Sequence, residues 1–296
     1  MKTTVQGIDV DYEIIGQGRP FLMLHGGGLD RRHMSDELEP LFATHPHWKR
    51  IYLDLPGHGA TPAQDWIRTQ EQVLKIVLKF IDAVIPGQNF AVAGVSRGGY
   101  IARGVIYRRI ESVDGALLIA PASAVAGASP DQPHITLLED ESVLSALQPG
   151  EGESGHFQMM VVQTHQTLAR LRKTYFPALA LRDAKLRDRI VQNYDLPFDV
   201  NDLPRPFHKP VLIVTGRQDD VTGYLDAWKM MDTFPRATFA VLDRSGHLVQ
   251  LEQATLFKAL AEEWLQRVEG GINASLERGV ESESARLRPG TDQSPG

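Results

Sequence analysis

The chain has no cysteine. That absence excludes disulfides, a thiol nucleophile and thiolate-held zinc or iron–sulfur clusters together. Long hydrophobic runs are missing too. The longest, Ala116 to Ala126, is broken by Pro121 and falls short of the roughly 20 residues that span a bilayer. The opening residues Met1-Lys2-Thr3-Thr4-Val5-Gln6 lack the apolar core of a secretory signal. Basic charge is not in excess, and the net charge of −6 argues against nucleic acid as a partner. No Walker-type loop appears, and Gly26-Gly27-Gly28 lacks the third-glycine spacing of a dinucleotide fingerprint. The expectation is a cytoplasmic protein that engages neither membrane nor nucleic acid and works as a monomer or homodimer.

What is present is most specific at Gly94-Val95-Ser96-Arg97-Gly98. The apolar run Asn89 to Ala93 precedes it and a stretch with a helical apolar face, Gly99 to Tyr107, follows it. A serine on a sharp turn between strand and helix is a nucleophile elbow. Flanking glycines permit the strained turn, and the serine oxygen stands at the positive end of the following helix.

The rest of the chain alternates in the same manner. Thr3 to Val5 and Val10 to Ile15 read as a hairpin joined at Gly7. Pro20 to Leu24 and Lys49 to Leu53 are continuous apolar runs ending at Gly-rich loops. A helix follows, with Val73, Ile76, Val77, Phe80, Ile81 and Val84 on one face. Val113 to Ala120, Pro210 to Thr215 and Ala237 to Leu242 are further strands, and helices are expected over about Tyr224 to Phe234 and Leu248 to Val268. Such runs separated by helices predict an α/β fold, a mostly parallel doubly wound sheet covered on both faces. The pattern changes between 124 and 209, where Phe157 to Tyr175 and Arg182 to Tyr194 read as helices and no strand is evident. This segment is expected to be a helical cap over the strand ends. Residues 1–123 and 210–269 then form the core, and 270–296, rich in Gly, Ser, Glu, Arg and Pro, a disordered tail.

A serine hydroxyl needs a base, and the base an orienting acid. The order Ser, Asp, His is met by Ser96, by Asp219 past the strand ending at Thr215, and by His247 past the last strand. All three map to one sheet edge, where ligands of such sheets bind. Asp220, adjacent to Asp219, is an alternative acid. Backbone N–H groups of Arg97 and Gly27 are candidate oxyanion donors; in one well-studied protease losing such a donor costs about 3 kcal/mol. The Arg97 side chain either pairs with a nearby carboxylate or meets an anionic substrate group. His25 and His58 read as hydrogen-bonded turn residues, His45-Pro46-His47 as a surface loop and Glu139-Asp140-Glu141 as a solvated acidic face.

With His25-Gly26-Gly27-Gly28, Asp54-Leu55-Pro56-Gly57-His58-Gly59, Gly94 to Gly98, Gly216-Arg217-Gln218-Asp219 and Gly246-His247 in this order, the chain resembles an α/β-hydrolase-fold serine hydrolase. The resemblance implies a sheet of about eight strands with a cap. It implies Ser96 as nucleophile, Asp219 as acid and His247 as base. It departs from prolyl aminopeptidases, since no proline follows the glycines and Arg97 stands where they have a large aromatic. Carbon–carbon bond hydrolases are similar in outline but have a different glycine–proline loop. The expected activity is cleavage of a small carboxylic ester or lactone, with no cofactor and no metal. The same triad acting on a carbon–carbon bond, an amide or an acyl transfer is the alternative, as is a non-catalytic small-molecule receptor.

Overall fold

Apolar runs bounded by Gly-rich turns become strands buried on both faces. The computed structural model describes residues 1–123 and 133–286, with backbone alone from 274. The hairpin of β1 (Lys2–Val5) and β2 (Ile8–Ile15) turns at Gly7, whose φ of 76° suits glycine. Then come β3 (Arg19–Leu24), α1 (Arg31–Leu38), β4 (Trp48–Leu53), α2 (Gln70–Val84), β5 (Phe90–Val95), α3 (Arg97–Arg109) and β6 (Val113–Ile119). Described parts of the insertion are β7 (Leu138–Glu139), α4 (Glu141–Ala146), α5 (Gly155–Gln158), β8 (Val162–Gln163), α6 (His165–Arg170), a π-helical turn (Leu171–Tyr175), α7 (Phe176–Leu179) and α8 (Ala184–Gln192). The core resumes with β9 (Val211–Gly216), α9 (Leu225–Lys229), β10 (Ala237–Leu242), α10 (Val249–Glu252) and α11 (Ala254–Arg286). Among the described residues no helix is long and apolar enough to cross a membrane.

Eight strands form one sheet in the order β1-β2-β4-β3-β5-β6-β9-β10. β2 is antiparallel to its neighbours, and every pairing from β4 onward is parallel. The chain winds from β3 to β4 on one side, then returns to place β5 on the other. The crevice beyond the carboxyl ends of β3 and β5 is therefore the switch point where α/β sheets bind ligands.

Alternate residues of each strand feed opposite cores, as a period of two requires. Leu22 and Leu24 of β3, Val92 of β5 and Leu118 of β6 pack with α2 and α3 around Phe80 and Ile101. Phe21, Met23, Ala91, Ala93 and Leu117 face the other way, against Trp48, Phe257 and Trp264. A third cluster joins insertion to core. Phe157, Met160, Leu168 and Tyr175 pack on Leu29 after β3 and on Leu248 and Leu251 after β10. That packing sets the insertion over the strand ends.

Several element boundaries differ from those expected. The segment Phe157 to Tyr175 is not one helix: β-branched Val161 and Val162 lead into the short parallel pairing of β8 with β7, strands that periodicity did not reveal. Thr164 then starts a new helix through a capping box with Thr167. The helix expected over Tyr224 to Phe234 is α9 followed by a 3₁₀ turn, Met230–Asp232. The last helix breaks at Gln253 and then runs to Arg286, through Gly270 and Gly271, where a disordered tail was expected to begin. Glu269 ties this helix down: it accepts from Trp48 Nε1 at 2.8 Å and His45 Nδ1 at 3.0 Å. Ile272 packs on the second core. His45 is thus buried rather than on a surface loop. The expectations for residues 124–132 and 287–296 lie outside the described residues.

Candidate active site

Ser96 follows β5 and caps α3 with φ 52° and ψ −119°. A non-glycine residue held there stores strain. The turn is so tight that a Cβ on Gly94 would strike the carbonyl of Gly98, and one on Gly98 the carbonyls of Leu24 and His25. Glycine is required at both positions by approach of backbone, and Ser96 is raised into a cavity as a result.

His247 and Asp219 come from the loops after neighbouring β10 and β9, whose register ends with Leu242 beside Gly216. Gly216 lets those loops close, since a Cβ there would meet the carbonyls of Ser245 and Gly246. His247 Nδ1 lies 3.1 Å from Asp219 Oδ2. Asp219 also accepts from the Val221 and Thr222 backbone N–H groups, each at 2.9 Å, and from the Thr222 hydroxyl at 2.7 Å. Burial alone would raise its pKa, but the His247 charge and these hydrogen bonds hold it at about 2. Burial would lower the pKa of His247, and the Asp219 carboxylate overcomes that and raises it. Asp220 instead faces His134, at 3.2 Å. Ser96 and His247 line the same cavity, with no hydrogen bond between them in this structure; such bonds often tighten only when substrate binds.

The loop after β3 supplies the facing wall. Gly28 N–H donates to His58 Nε2 at 3.3 Å, and Leu55 N–H to His25 Nε2 at 2.9 Å. Each ring's Nδ1 meets a backbone carbonyl, of Pro56 for His58 and of Gly26 for His25. Both imidazoles are neutral lacing between the loops after β3 and β4, their pKa values lowered by burial. Asp54 joins the same lacing, accepting from the Arg31 and Ala60 amides and pairing with the Arg31 guanidinium. Gly27 N–H has no acceptor among the described residues, and Arg97 N–H, first in α3, has none within its helix. Both residues line the cavity.

That cavity holds about 260 Å³ and reaches from Ser96 to His156, Met159 and Arg182 of the insertion. The Arg97 side chain does not pair with a described carboxylate, contrary to one of the two expectations for it. It turns to α2 and donates from Nε to Gln70 Oε1 at 3.0 Å. Several neighbours of the site carry little or no local signal in the sequence. His156, buried and with its pKa lowered to about 4, had no local signal. Glu252 accepts from the Val161, Val162 and Gly246 amides and so clips insertion to the His247 loop; only the fold brings these together. Thr222, three residues after Asp219, was detectable as a side-chain turn former.

The sequence model described as "Alpha/beta hydrolase family" matches residues 21–260. The chain belongs to that family and is an α/β-fold hydrolase. A crystal structure of an alpha/beta superfamily hydrolase from Oenococcus oeni PSU-1 is similar, with TM-score 0.82 and 25% identity, covering 91% of this chain and 99% of that one. A 2-hydroxy-6-oxo-6-(2'-aminophenyl)hexa-2,4-dienoic acid hydrolase from Metapseudomonas resinovorans is 24% identical, over 88% of this chain and 89% of its own. A pimeloyl-[acyl-carrier protein] methyl ester esterase from Legionella pneumophila (strain Corby) is 22% identical, over 88% of this chain and all of its own.

Proposed function

We propose that the protein is a serine hydrolase that cleaves a small carboxylic ester or lactone through an acyl-enzyme. The observation that carries this is a strained serine, φ 52°, on the wall of a cavity that His247 also lines, with Asp219 hydrogen-bonded behind it. The methyl ester esterase among its relatives supports an ester as substrate.

Ser96 Oγ attacks the carbonyl carbon while His247 Nε2 takes its proton. The oxygen that gains charge is held by the Gly27 and Arg97 N–H groups. Asp219 accepts from His247 Nδ1, fixes the tautomer and stabilises the imidazolium; the hydrogen bonds from Thr222 keep that carboxylate ionised. The carbon–oxygen bond to the alcohol breaks, and His247 returns the proton to the leaving oxygen. Water then attacks the acyl-Ser96 carbonyl and loses its proton to His247. The acid departs and Ser96 regains its hydrogen. One ester and one water give one acid and one alcohol.

Ser96→Ala should fold normally and lose a thousandfold or more of the turnover of a short p-nitrophenyl ester. A fluorophosphonate probe should label wild type on Ser96. Retained turnover in Ser96→Ala would defeat the assignment. A folded wild type that takes no label would point to a receptor instead.

A further inference from the structure

Three arginines line the cavity with Ser96, namely Arg97, Arg182 and Arg187, and no aspartate or glutamate does so among the described residues. Arg97 is only 8% exposed. Its neutral partner Gln70 takes Nε alone, and its Nη2 is buried with no partner among the described residues. It forms no ion pair with a described residue, whereas Arg31, Arg50 and Arg170 each meet a carboxylate. Arg182, just ahead of α8, likewise has a buried Nε without a partner among the described residues. A guanidinium in water loses little by being unpaired; one taken out of water and left without a counter-charge is costly. The cost is carried by the free protein and removed by whichever ligand brings the missing charge. Arg97 follows Ser96 in the chain, and both line the cavity.

Resting on the serine-hydrolase reading above, we infer that the substrate is an ester carrying a second, anionic group, a carboxylate, and that Arg97 of the core and Arg182 of the insertion receive it. The planar fork of a guanidinium matches a carboxylate. Arginine keeps its charge near neutral pH, although burial lowers the pKa of Arg97 and Arg182. His58 and His156, neutral here through burial, neither compete for the anion nor supply the charge. Recognition of this kind links the two halves of the cavity, since one arginine belongs to the sheet core and the other to the insertion. It places selection of the acyl group beside the nucleophile itself.

Monomethyl glutarate and dimethyl glutarate test this, because they present the same methyl ester with and without one carboxylate. Wild type should favour the monoanion in kcat/KM by tenfold or more. In Arg97→Gln the ratio of the two kcat/KM values should fall about 10- to 100-fold, chiefly through KM for the monoanion. Arg97→Lys should restore part of it, and Arg182→Gln should lower it several-fold. Should Arg97→Gln fail to fold, the wild-type ratio and Arg182→Gln decide. A wild type that hydrolyses the neutral diester equally well or better overturns the inference, as does an unchanged ratio in both Gln variants; either result leaves the hydrolase assignment standing. Calorimetry of monomethyl glutarate with Ser96→Ala separates the two claims from the other side. Binding that disappears when Arg97→Gln is added upholds the anion site even if wild type turns over no ester.

Discussion

The strain at Ser96 can be measured apart from catalysis. Its φ of 52° with ψ −119° is a conformation that costs a non-glycine residue about 1–3 kcal/mol. Alanine at this position keeps the strain, while glycine releases it. Glycine also loses about 0.5–1 kcal/mol more conformational entropy on folding than alanine. Subtracting the centre of the second range from the centre of the first, Ser96→Gly should be more stable than Ser96→Ala by about 1–1.5 kcal/mol. For a domain of this size that corresponds to roughly 2–6 °C in the unfolding midpoint. The comparison between the two variants cancels the lost hydroxyl. Calorimetric melting of both, beside wild type, is the assay, with esterase turnover recorded to show that both are inactive. If Ser96→Gly melts at or below Ser96→Ala, the elbow is not strained and the positive φ has another origin.

Replacing Asp219 by Asn should cut kcat about 10⁴-fold, as loss of the orienting carboxylate does in a serine protease, and a loss under tenfold would refute its role. Base catalysis needs neutral His247, whose pKa is raised above 6.5, so kcat/KM should climb with pH through a midpoint above 6.5. In Asp219→Asn the main group opposing burial is gone, with only Asp220 and Glu252 left to raise the pKa, and that midpoint should move to lower pH. The pair also contributes to folding. Asp219, lowered from 3.8 to about 2, stabilises above 3.8 and loses that share as pH falls through its folded value. His247, raised from 6.5, stabilises below 6.5 and loses its share as pH rises through its folded value. Urea titration should therefore show the wild-type advantage over Asp219→Asn greatest between pH 3.8 and 6.5. Gly98→Ala drives a Cβ into backbone carbonyls, while Gly27→Ala meets nothing within 4 Å. The first should lose at least about 2 kcal/mol in urea unfolding and the second less than about 0.5.

The sheet and the loops at its edge were legible in the order of residues alone. Strands buried on both faces must be apolar throughout, so Phe21 to Leu24 and Phe90 to Val95 were legible without partners. The tight turn at Ser96 needs Gly94 and Gly98, and that need leaves a motif. The insertion was less legible. Its helices are short, and a two-residue strand such as Val162–Gln163 has no period to detect. Gly270 and Gly271 suggested an end to the last helix, but Glu269 is held by His45 and Trp48, more than 200 residues earlier, and no local rule sees such a tie. Which carboxylate faces His247 was left to packing, because Asp219 and Asp220 differ in direction rather than in kind. Packing also decided that Arg97 lies buried without a counter-charge among the described residues. Chemistry at a site depends on distance and on exclusion of water, and a chain acquires both when remote segments pack together.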